Sequence, residues 1–160
     1  MSNLSNRFWN WYQRYFTINV TITSFLFFLQ LFHLYWLFTD VVLGKITGHS
    51  FFPFQENWGR FSVLFDYTEI PALITASLVY ISQLRQKKNF KSILFLILIN
   101  TQWLHMLWIT DEYVVDQFRG ASLFHWAGFL AWVAILIDFL ELPVMFDTVR
   151  QAIKGWFGKK

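Results

Sequence analysis

Hydrophobic side chains fall in four long stretches of the chain, separated by short polar segments. The stretches are Ile18–Leu43, Phe61–Ser82, Phe90–Val115 and Leu123–Val149. A helix needs about 20 residues to cross the hydrocarbon core of a bilayer, so each stretch is long enough for one crossing. The segments between them leave no room for a separate soluble domain. The pattern therefore predicts an all-α integral membrane four-helix bundle that forms a single membrane domain over residues 1–160.

Composition agrees with this interpretation and limits the available chemistry. Of the 160 residues, 56% are hydrophobic and only 14% are charged, which is outside the range of ordinary soluble domains. The chain has no cysteine, which excludes thiolate nucleophiles, iron–sulfur ligation and disulfides. Any chemistry must therefore come from histidine, carboxylate, amide and aromatic groups.

Basic residues are concentrated on one predicted side of the membrane. Ten of the thirteen lysines and arginines lie in the amino-terminal arm, the second loop and the tail: Arg7, Arg14, Arg85, Lys87, Lys88, Lys91, Arg150, Lys154, Lys159 and Lys160. Cytoplasmic segments of membrane proteins carry this excess, so we expect both termini and the second loop to be cytoplasmic. The net charge of +3 is thus explained by orientation and contact with anionic lipid, and we expect no nucleic-acid partner.

The second half of the chain repeats the polar pattern of the first. A shift of 72 positions (141 minus 69) superposes Gln30, His33, Trp36, Asp40, Asp66, Glu69 and Pro71 on Gln102, His105, Trp108, Glu112, Asp138, Glu141 and Pro143. Such matches inside apolar segments indicate a tandem duplication of a two-helix unit, over about residues 18–83 and about residues 90–155. Because each unit crosses the membrane an even number of times, the copies would be related by a pseudo-two-fold axis along the membrane normal.

The polar residues of each repeat share one helical face and one depth. In the first repeat they are spaced by three, three and four positions: Gln30, His33, Trp36 and Asp40. Helical rise puts His33 about 16 Å below the outer end of its helix and Glu69 about 14 Å below the start of its own. We therefore expect His33 to lie level with Glu69, and His105 level with Glu141, in the outer half of the bilayer.

Ionisable groups at this depth must be paired, protonated or metal-bound, because an unpaired charge in hydrocarbon costs several kcal/mol. We expect one buried site whose catalytic groups are His33, Asp66, Glu69, His105, Glu112, Asp138 and Glu141. Its ligand-binding groups are expected to be Gln30, Trp36, Asp40, Gln102, Trp108 and Asp111. Asp66 and Asp138 should form the mouth of the site, with the two tryptophans as walls. The alternative is that the His–Glu pairs are clamps that only hold the bundle together.

Short motifs at these positions resemble the EXPERA group of membrane proteins, which contains the sigma-2 receptor and the emopamil-binding sterol isomerase. The first predicted helix ends in LFTD, the third ends in WITDE, and the second and fourth each contain an Ile-Pro or Leu-Pro step. The tail of the fourth helix, ELPVMFDTVRQ, is also similar to theirs. The resemblance runs from Phe32 to Gln151. It implies a membrane pocket for sterols or other lipophilic, often cationic, ligands, with carboxylates acting as counter-ion or proton donor.

Individual site residues follow from the same resemblance. His33 matches the first-helix histidine of the isomerases, and Asp111 or Glu112 matches their third-helix glutamate. Leu37 replaces the acid one turn after that histidine, and Leu136 and Phe139 replace a fourth-helix asparagine and tryptophan. What the resemblance implies is therefore a lipophilic-ligand site built with different acids.

Three main functional hypotheses remain open from the sequence, and a proton or ion path is a weaker fourth, because the polar residues cluster at one depth and do not form a chain across the inner half of the membrane. The first is a lipophilic-ligand pocket that needs no cofactor and could isomerise a sterol-like molecule by acid–base chemistry. The second is a carboxylate-bridged di-metal oxidoreductase, with His33, Glu69, His105, Glu141, Asp66 and Asp138 as metal ligands. The third is a haem b subunit with two axial histidines. The expected partners are a lipophilic small molecule and the lipid bilayer, and a homodimer or a larger membrane complex is compatible with all three hypotheses.

Overall fold

The computed structural model of the protein describes residues 2–49, 67–120, 123 and 128–158, and every regular element among them is helical. The α-helices are α1 Ser2–Arg14, α2 Phe16–Trp36, α3 Leu43–Thr47, α4 Glu69–Gln86, α5 Phe90–Ile109, α6 Asp116–Arg119, α7 Gly128–Phe139 and α8 Leu142–Phe157. Two π-helical segments continue α2 and α5: π1 Leu37–Val42 and π2 Thr110–Val115. The predicted all-α fold class is confirmed.

The first and third apolar stretches form long helices, whereas the other two are interrupted. The fourth stretch is broken between α7 and α8, where the Glu141 amide donates to the Asp138 carbonyl at 3.3 Å in a tight turn. Pro143 follows within the first turn of α8, where its missing amide hydrogen costs nothing. Pro71 likewise lies in the first turn of α4, directly after a turn at Thr68. Because proline is tolerated in the first turn of a helix but not in its interior, a new helix begins just before each of the two prolines.

The larger helices pack as a ring. Helix α2 packs against both α4 and α8, and α5 packs against α4 and, to a smaller extent, against α7 and α8. The main hydrophobic core lies inside this ring and is centred on Phe27, Leu73, Tyr80, Ile99 and Val144, which are 0–1% exposed. Four different helices contribute those five side chains, so the core fixes the depth at which each helix meets its neighbours.

Two of the described helices, Phe16–Thr47 (α2, π1 and α3 together) and Phe90–Ile109, are long and apolar enough to cross a membrane. Fewer than half of the residues in their most apolar windows are buried inside the bundle. The outward faces carry large apolar side chains instead, among them Phe25, Phe32, Ile97, Leu104 and Leu107. Most of the apolar surface of these two helices is therefore directed away from the protein core.

Helix α1 was not predicted by hydropathy, since the amino-terminal arm is too polar and too short to cross a membrane. Its exposed apolar residues are spaced by four and three positions and form a stripe: Leu4, Phe8 and Trp11. Next to the stripe, Tyr12 is buried, and the Trp9 ring lies 5.0 Å from the guanidinium carbon of Arg85 in α4. The helix is thus amphipathic, with its apolar stripe directed outward.

A buried polar network joins three helices at the end of the bundle that carries the second loop. Asp147 of α8 accepts hydrogen bonds from the Tyr80 hydroxyl at 3.1 Å and the Gln151 amide at 2.6 Å, and it pairs with the ammonium group of Lys91. The carboxylate is 5% exposed. Asp147 has no acidic counterpart in the first repeat, so sequence comparison of the repeats gave no signal for it.

Replacing Asp147 with alanine should destabilise the fold by about 2–4 kcal/mol. The Tyr80 hydroxyl would lose its hydrogen-bond acceptor, and the Lys91 ammonium group would lose its ion-pair partner. The free energy of unfolding of the purified protein in mixed micelles measures this effect. Lys154→Ala, an exposed change on the same helix, should stay within about 0.5 kcal/mol of the wild type. Equal effects of the two substitutions would contradict a structural role for the network.

Candidate functional site

Two histidines and one aspartate from three helices meet inside the bundle. His33 lies on α2, His105 on α5 and Asp138 near the end of α7. The three residues are 9%, 5% and 3% exposed. Each belongs to the polar face of an otherwise apolar helix, and packing of the apolar residues around them directs those faces toward one another.

The Asp138 carboxylate lies between the two imidazoles. One oxygen, Oδ1, is 3.1 Å from Nδ1 of His105, and the other, Oδ2, is 3.8 Å from Nε2 of His33. The imidazole rings are 6.4 Å apart between centroids. One ligand-type atom from each of the three residues can be chosen so that all lie within 4.8 Å of one another. The three side chains therefore form a single cluster, here called the His–Asp–His cluster.

A second carboxylate and two tryptophans surround the cluster. Glu141 is 2% exposed and interacts electrostatically with Asp138 and His33. Trp36 and Trp108 lie one turn after the two histidines, and each ring centroid is 6.0 Å from that of its histidine. The cluster is therefore enclosed by aromatic side chains on α2 and α5.

Gln30 and Gln102 bind the interrupted helices one turn before the histidines. The Gln102 amide donates to the Ile137 carbonyl at 2.8 Å, at the end of α7 where the chain turns toward α8. The Gln30 amide donates to the Thr68 hydroxyl at 3.0 Å, in the turn before α4. Both amides are buried. These two residues, predicted as ligand-binding groups, thus stabilise the turns that present the acids, which is a positioning role.

The structure differs from the expected arrangement in the pairing of the histidines. Asp138, expected at the mouth of the site, is instead the carboxylate between them. Asp138 lies in the last turn of α7, and the packing of α7 against α5 buries its carboxylate beside both imidazoles. Glu69 is also buried, at 5% exposure.

The remaining predicted residues are only partly described. Asp66 lies outside the described residues, and so do the side chains of Asp40 and Glu112, although their backbones belong to π1 and π2. Asp111 is buried on π2 and accepts a hydrogen bond from the backbone amide of Leu123 at 2.8 Å. It is therefore held by a main-chain donor in the loop that follows α6.

An apolar cavity of about 330 Å³ opens beside α5. Its walls are mainly apolar and include Ile70, Trp103, Met106 and Leu107. Trp103 and Leu107 are largely exposed, so the cavity opens toward the outer surface of the bundle. Its volume is at the lower end of the range of about 300–1,000 Å³ that is usual for small-molecule sites.

Three polar groups lie along one side of the cavity. The Tyr67 hydroxyl and the Thr110 hydroxyl are hydrogen-bonded at 2.9 Å, and Asp111 follows Thr110 in π2. Tyr67 and Thr110 were not singled out from the sequence. The only signal for them is the proximity of Tyr67 to the repeated Asp-x-x-Glu-x-Pro motif and of Thr110 to Asp111.

The His–Asp–His cluster has the donor set of a mononuclear metal site, two imidazole nitrogens and one carboxylate. A haem with His33 and His105 as axial ligands fits the geometry less well. A porphyrin would have to pass between the two rings, and the Asp138 carboxylate is within reach of both. The six-ligand di-metal arrangement includes Asp66 and so extends beyond the described residues.

Comparison with known protein families, with curated proteins and with solved structures gives no match. Inference about function therefore depends on the geometry of the cluster and of the cavity.

The change in the free energy of unfolding caused by removing the charge of Asp138 should depend on whether His105 is present. We expect Asp138→Asn and His105→Gln to be non-additive, with a coupling free energy of about 0.5–3 kcal/mol in the free energy of unfolding, because both remove the same interaction. The matched control is Asp138→Asn combined with Asp147→Asn. Those two acids share no partner among the described residues, so their effects should add to within about 0.5 kcal/mol. Additive behaviour of the first pair would contradict direct contact in the cluster.

Proposed function

We propose that the chain is a multi-pass integral membrane protein that binds a lipophilic small molecule at an intramembrane histidine–carboxylate site. The bundle crosses the membrane four times, with both termini in the cytoplasm, and consists of two tandem two-helix repeats. The ligand belongs to the class that the EXPERA resemblance implies, a sterol-like molecule or a lipophilic amine.

Exposed apolar side chains support the membrane location. Monomeric soluble proteins rarely expose contiguous apolar surface of more than a few hundred Å². Here Phe25, Phe28 and Phe32 of α2 are 55–63% exposed, and Ile97 and Leu104 of α5 are 58% and 63% exposed. Lipid chains would cover such faces at no cost. The outward apolar stripe of α1 suits an amphipathic helix that lies in the cytoplasmic interface, next to the basic second loop.

Paired backbone features support the duplication. Gly48 and Gly120 are separated by the same 72 positions (120 minus 48) and both have positive φ, 75° and 72°, a conformation that glycine adopts without steric cost. Segments π1 and π2 begin at Leu37 and Thr110, and this separation (110 minus 37) differs from the repeat offset by only one position. Each first helix of a repeat also packs against the second helices of both repeats. A pseudo-two-fold axis accounts for all three features.

The cavity beside α5 is the observation that carries the ligand proposal. It combines mainly apolar walls with a few polar groups on one side, which is the usual make-up of small-molecule sites. Its opening toward the lipid-facing surface gives a membrane-dissolved molecule a direct path of entry. The hydroxyls of Tyr67 and Thr110 can bind a ligand hydroxyl, and the Asp111 carboxylate can serve as counter-ion for an amine.

Acid–base chemistry is the reaction class that fits this environment. His105 and Met106 are adjacent on α5, and Met106 lines the cavity while His105 belongs to the cluster. Positioned histidine and carboxyl groups transfer protons to and from bound substrates. In an isomerase of this type, a protonated group would donate to an apolar double bond and a neighbouring base would remove a proton from an adjacent carbon.

Reporter fusions test the proposed topology. Fusions at residue 160 and near Lys87 should report the cytoplasm, and a fusion near Glu56 should report the opposite side, because the basic residues flank the cytoplasmic ends of the crossings. A set of fusions that requires an odd number of crossings would refute the four-crossing bundle and the repeat axis with it.

Filling the cavity should weaken ligand binding. Leu107→Trp places a larger side chain in the cavity wall, so labelling by a photoreactive sterol that carries an amine should fall at least tenfold. Leu104→Trp is the matched control, because Leu104 is exposed on the same helix and does not line the cavity. Its labelling should equal that of the wild type.

The charge of Asp111 provides a second, more specific comparison. Asp111→Asn should reduce labelling by the amine probe at least tenfold while leaving labelling by the corresponding uncharged sterol within about twofold, since a tenfold change corresponds to about 1.4 kcal/mol of lost ion pairing. Equal labelling of Leu107→Trp and Leu104→Trp, or saturable labelling of neither wild type nor variants, would contradict the ligand site.

A further inference from the structure

We propose that His33, His105 and Asp138 bind one divalent transition-metal ion inside the bundle. The inference concerns the interior cluster and uses none of the polar groups that line the cavity, so it does not depend on ligand binding there. A bound ion would take the place of proton transfer by the two histidines. It also differs from a di-metal centre, since three residues supply the protein ligands.

The spacing of the ligand atoms fits a single ion. Metal–nitrogen and metal–oxygen bonds of about 2.0–2.2 Å place neighbouring ligand atoms about 3–4 Å apart. Asp138 Oδ1 is 3.1 Å from His105 Nδ1, and Asp138 Oδ2 is 3.8 Å from His33 Nε2. The largest separation within the set of three ligand atoms is no more than 4.8 Å. Binding of one ion would draw the three ligand atoms closer together than they are without it.

The balance of buried charge favours a cation. Asp138 and Glu141 are 3% and 2% exposed and lie three positions apart, on either side of the turn between α7 and α8. Neither pairs with a lysine or arginine among the described residues. Glu141 Oε2 is buried and has no hydrogen-bond partner within the part of the chain that the structure describes. Two adjacent carboxylates in an apolar interior are costly, and a divalent ion between the histidines would compensate for both.

The cluster is held on rigid elements, as a metal site requires. His33 and His105 come from the middle of two long helices, and the turn that carries Asp138 is fixed by the Gln102 amide through the Ile137 carbonyl. Trp36 and Trp108 pack beside the imidazoles. Such surroundings orient the metal ligands before the ion binds.

The donor set indicates the class of ion. Two imidazoles and one carboxylate without any thiolate suit Fe²⁺, Mn²⁺ or Zn²⁺. Three protein ligands leave at least one coordination position for water or a substrate atom, which is the arrangement of catalytic rather than structural sites.

Cobalt binding tests the proposal, with Co²⁺ as a spectroscopic probe of a divalent transition-metal site. The full-length protein is purified in detergent without a histidine tag, stripped with chelator, and titrated with Co²⁺. After gel filtration we expect about one cobalt per chain by elemental analysis, together with visible absorption from bound Co²⁺. X-ray absorption should give histidine nitrogen ligands at about 2.0–2.2 Å. A folded wild-type protein that binds no stoichiometric cobalt would overturn the proposal.

Variants of the three cluster residues test whether Co²⁺ binds at the His–Asp–His cluster. His33→Gln, His105→Gln and Asp138→Asn should each weaken cobalt binding at least tenfold, whereas Asp138→Glu, which keeps a carboxylate, should retain absorption from bound cobalt. His49→Ala is the control, since His49 is an exposed histidine away from the cluster. Cobalt should also raise the unfolding temperature of the wild type and the control but not that of Asp138→Asn. Unchanged binding in the three cluster variants would overturn the assignment.

Sterol labelling and cobalt binding, measured on the same protein preparations, test the two proposals separately. Leu107→Trp should lose sterol labelling and keep stoichiometric cobalt, because its side chain is on the outer wall of the cavity. Cobalt binding by a protein that no sterol probe labels would refute the lipophilic ligand and leave the metal site in place, and the reverse result would refute the metal site alone.

Discussion

The cost of placing ionisable side chains in an apolar interior constrains the rest of this structure. His33, His105, Asp138 and Glu141 are all at least nine-tenths buried, in helices whose other residues are almost entirely apolar. Such groups are tolerated only when other polar groups compensate for the water that they have lost. The bundle meets this requirement by bringing polar faces from α2, α5 and α7 to one place, and that convergence sets how the three helices are oriented.

Interruptions in the helices make this convergence possible. At the turn between α7 and α8, the backbone amides of Leu140 and Glu141 donate to the carbonyls three residues earlier, Ile137 and Asp138. The Gln102 amide adds a second donor to the Ile137 carbonyl, and the Gln30 amide donates to the Thr68 hydroxyl in the turn before α4. Proline, buried amide and acid thus lie together at each turn, and the buried amide supplies a polar partner to the irregular segment.

The two proposed sites have different physical requirements. The cavity beside α5 has mainly apolar walls and opens outward, so binding of a ligand from lipid would depend on close packing and on the few polar groups, because lipid chains are as apolar as the walls. The His–Asp–His cluster is closed and charged, and it would bind through a few directional bonds. Met106 and His105, neighbours on α5, link the two, so that a ligand and an ion could be held on adjacent faces of one helix.

The sequence by itself determined the all-α class, because the long apolar stretches are typical of helices. It also determined that His33 and His105 converge, because ionisable side chains on apolar helices need polar partners. Tertiary structure alone decided which carboxylate lies between the histidines. Depth arithmetic on straight helices paired each histidine with a glutamate, whereas packing of α2, α5 and α7 brings the Asp138 carboxylate to 3.1 Å from His105 and 3.8 Å from His33. Likewise, the bonds from Asp147 to Tyr80 and Gln151 and the cavity lined by Tyr67 and Thr110 arise from contacts between distant helices, which no local pattern encodes.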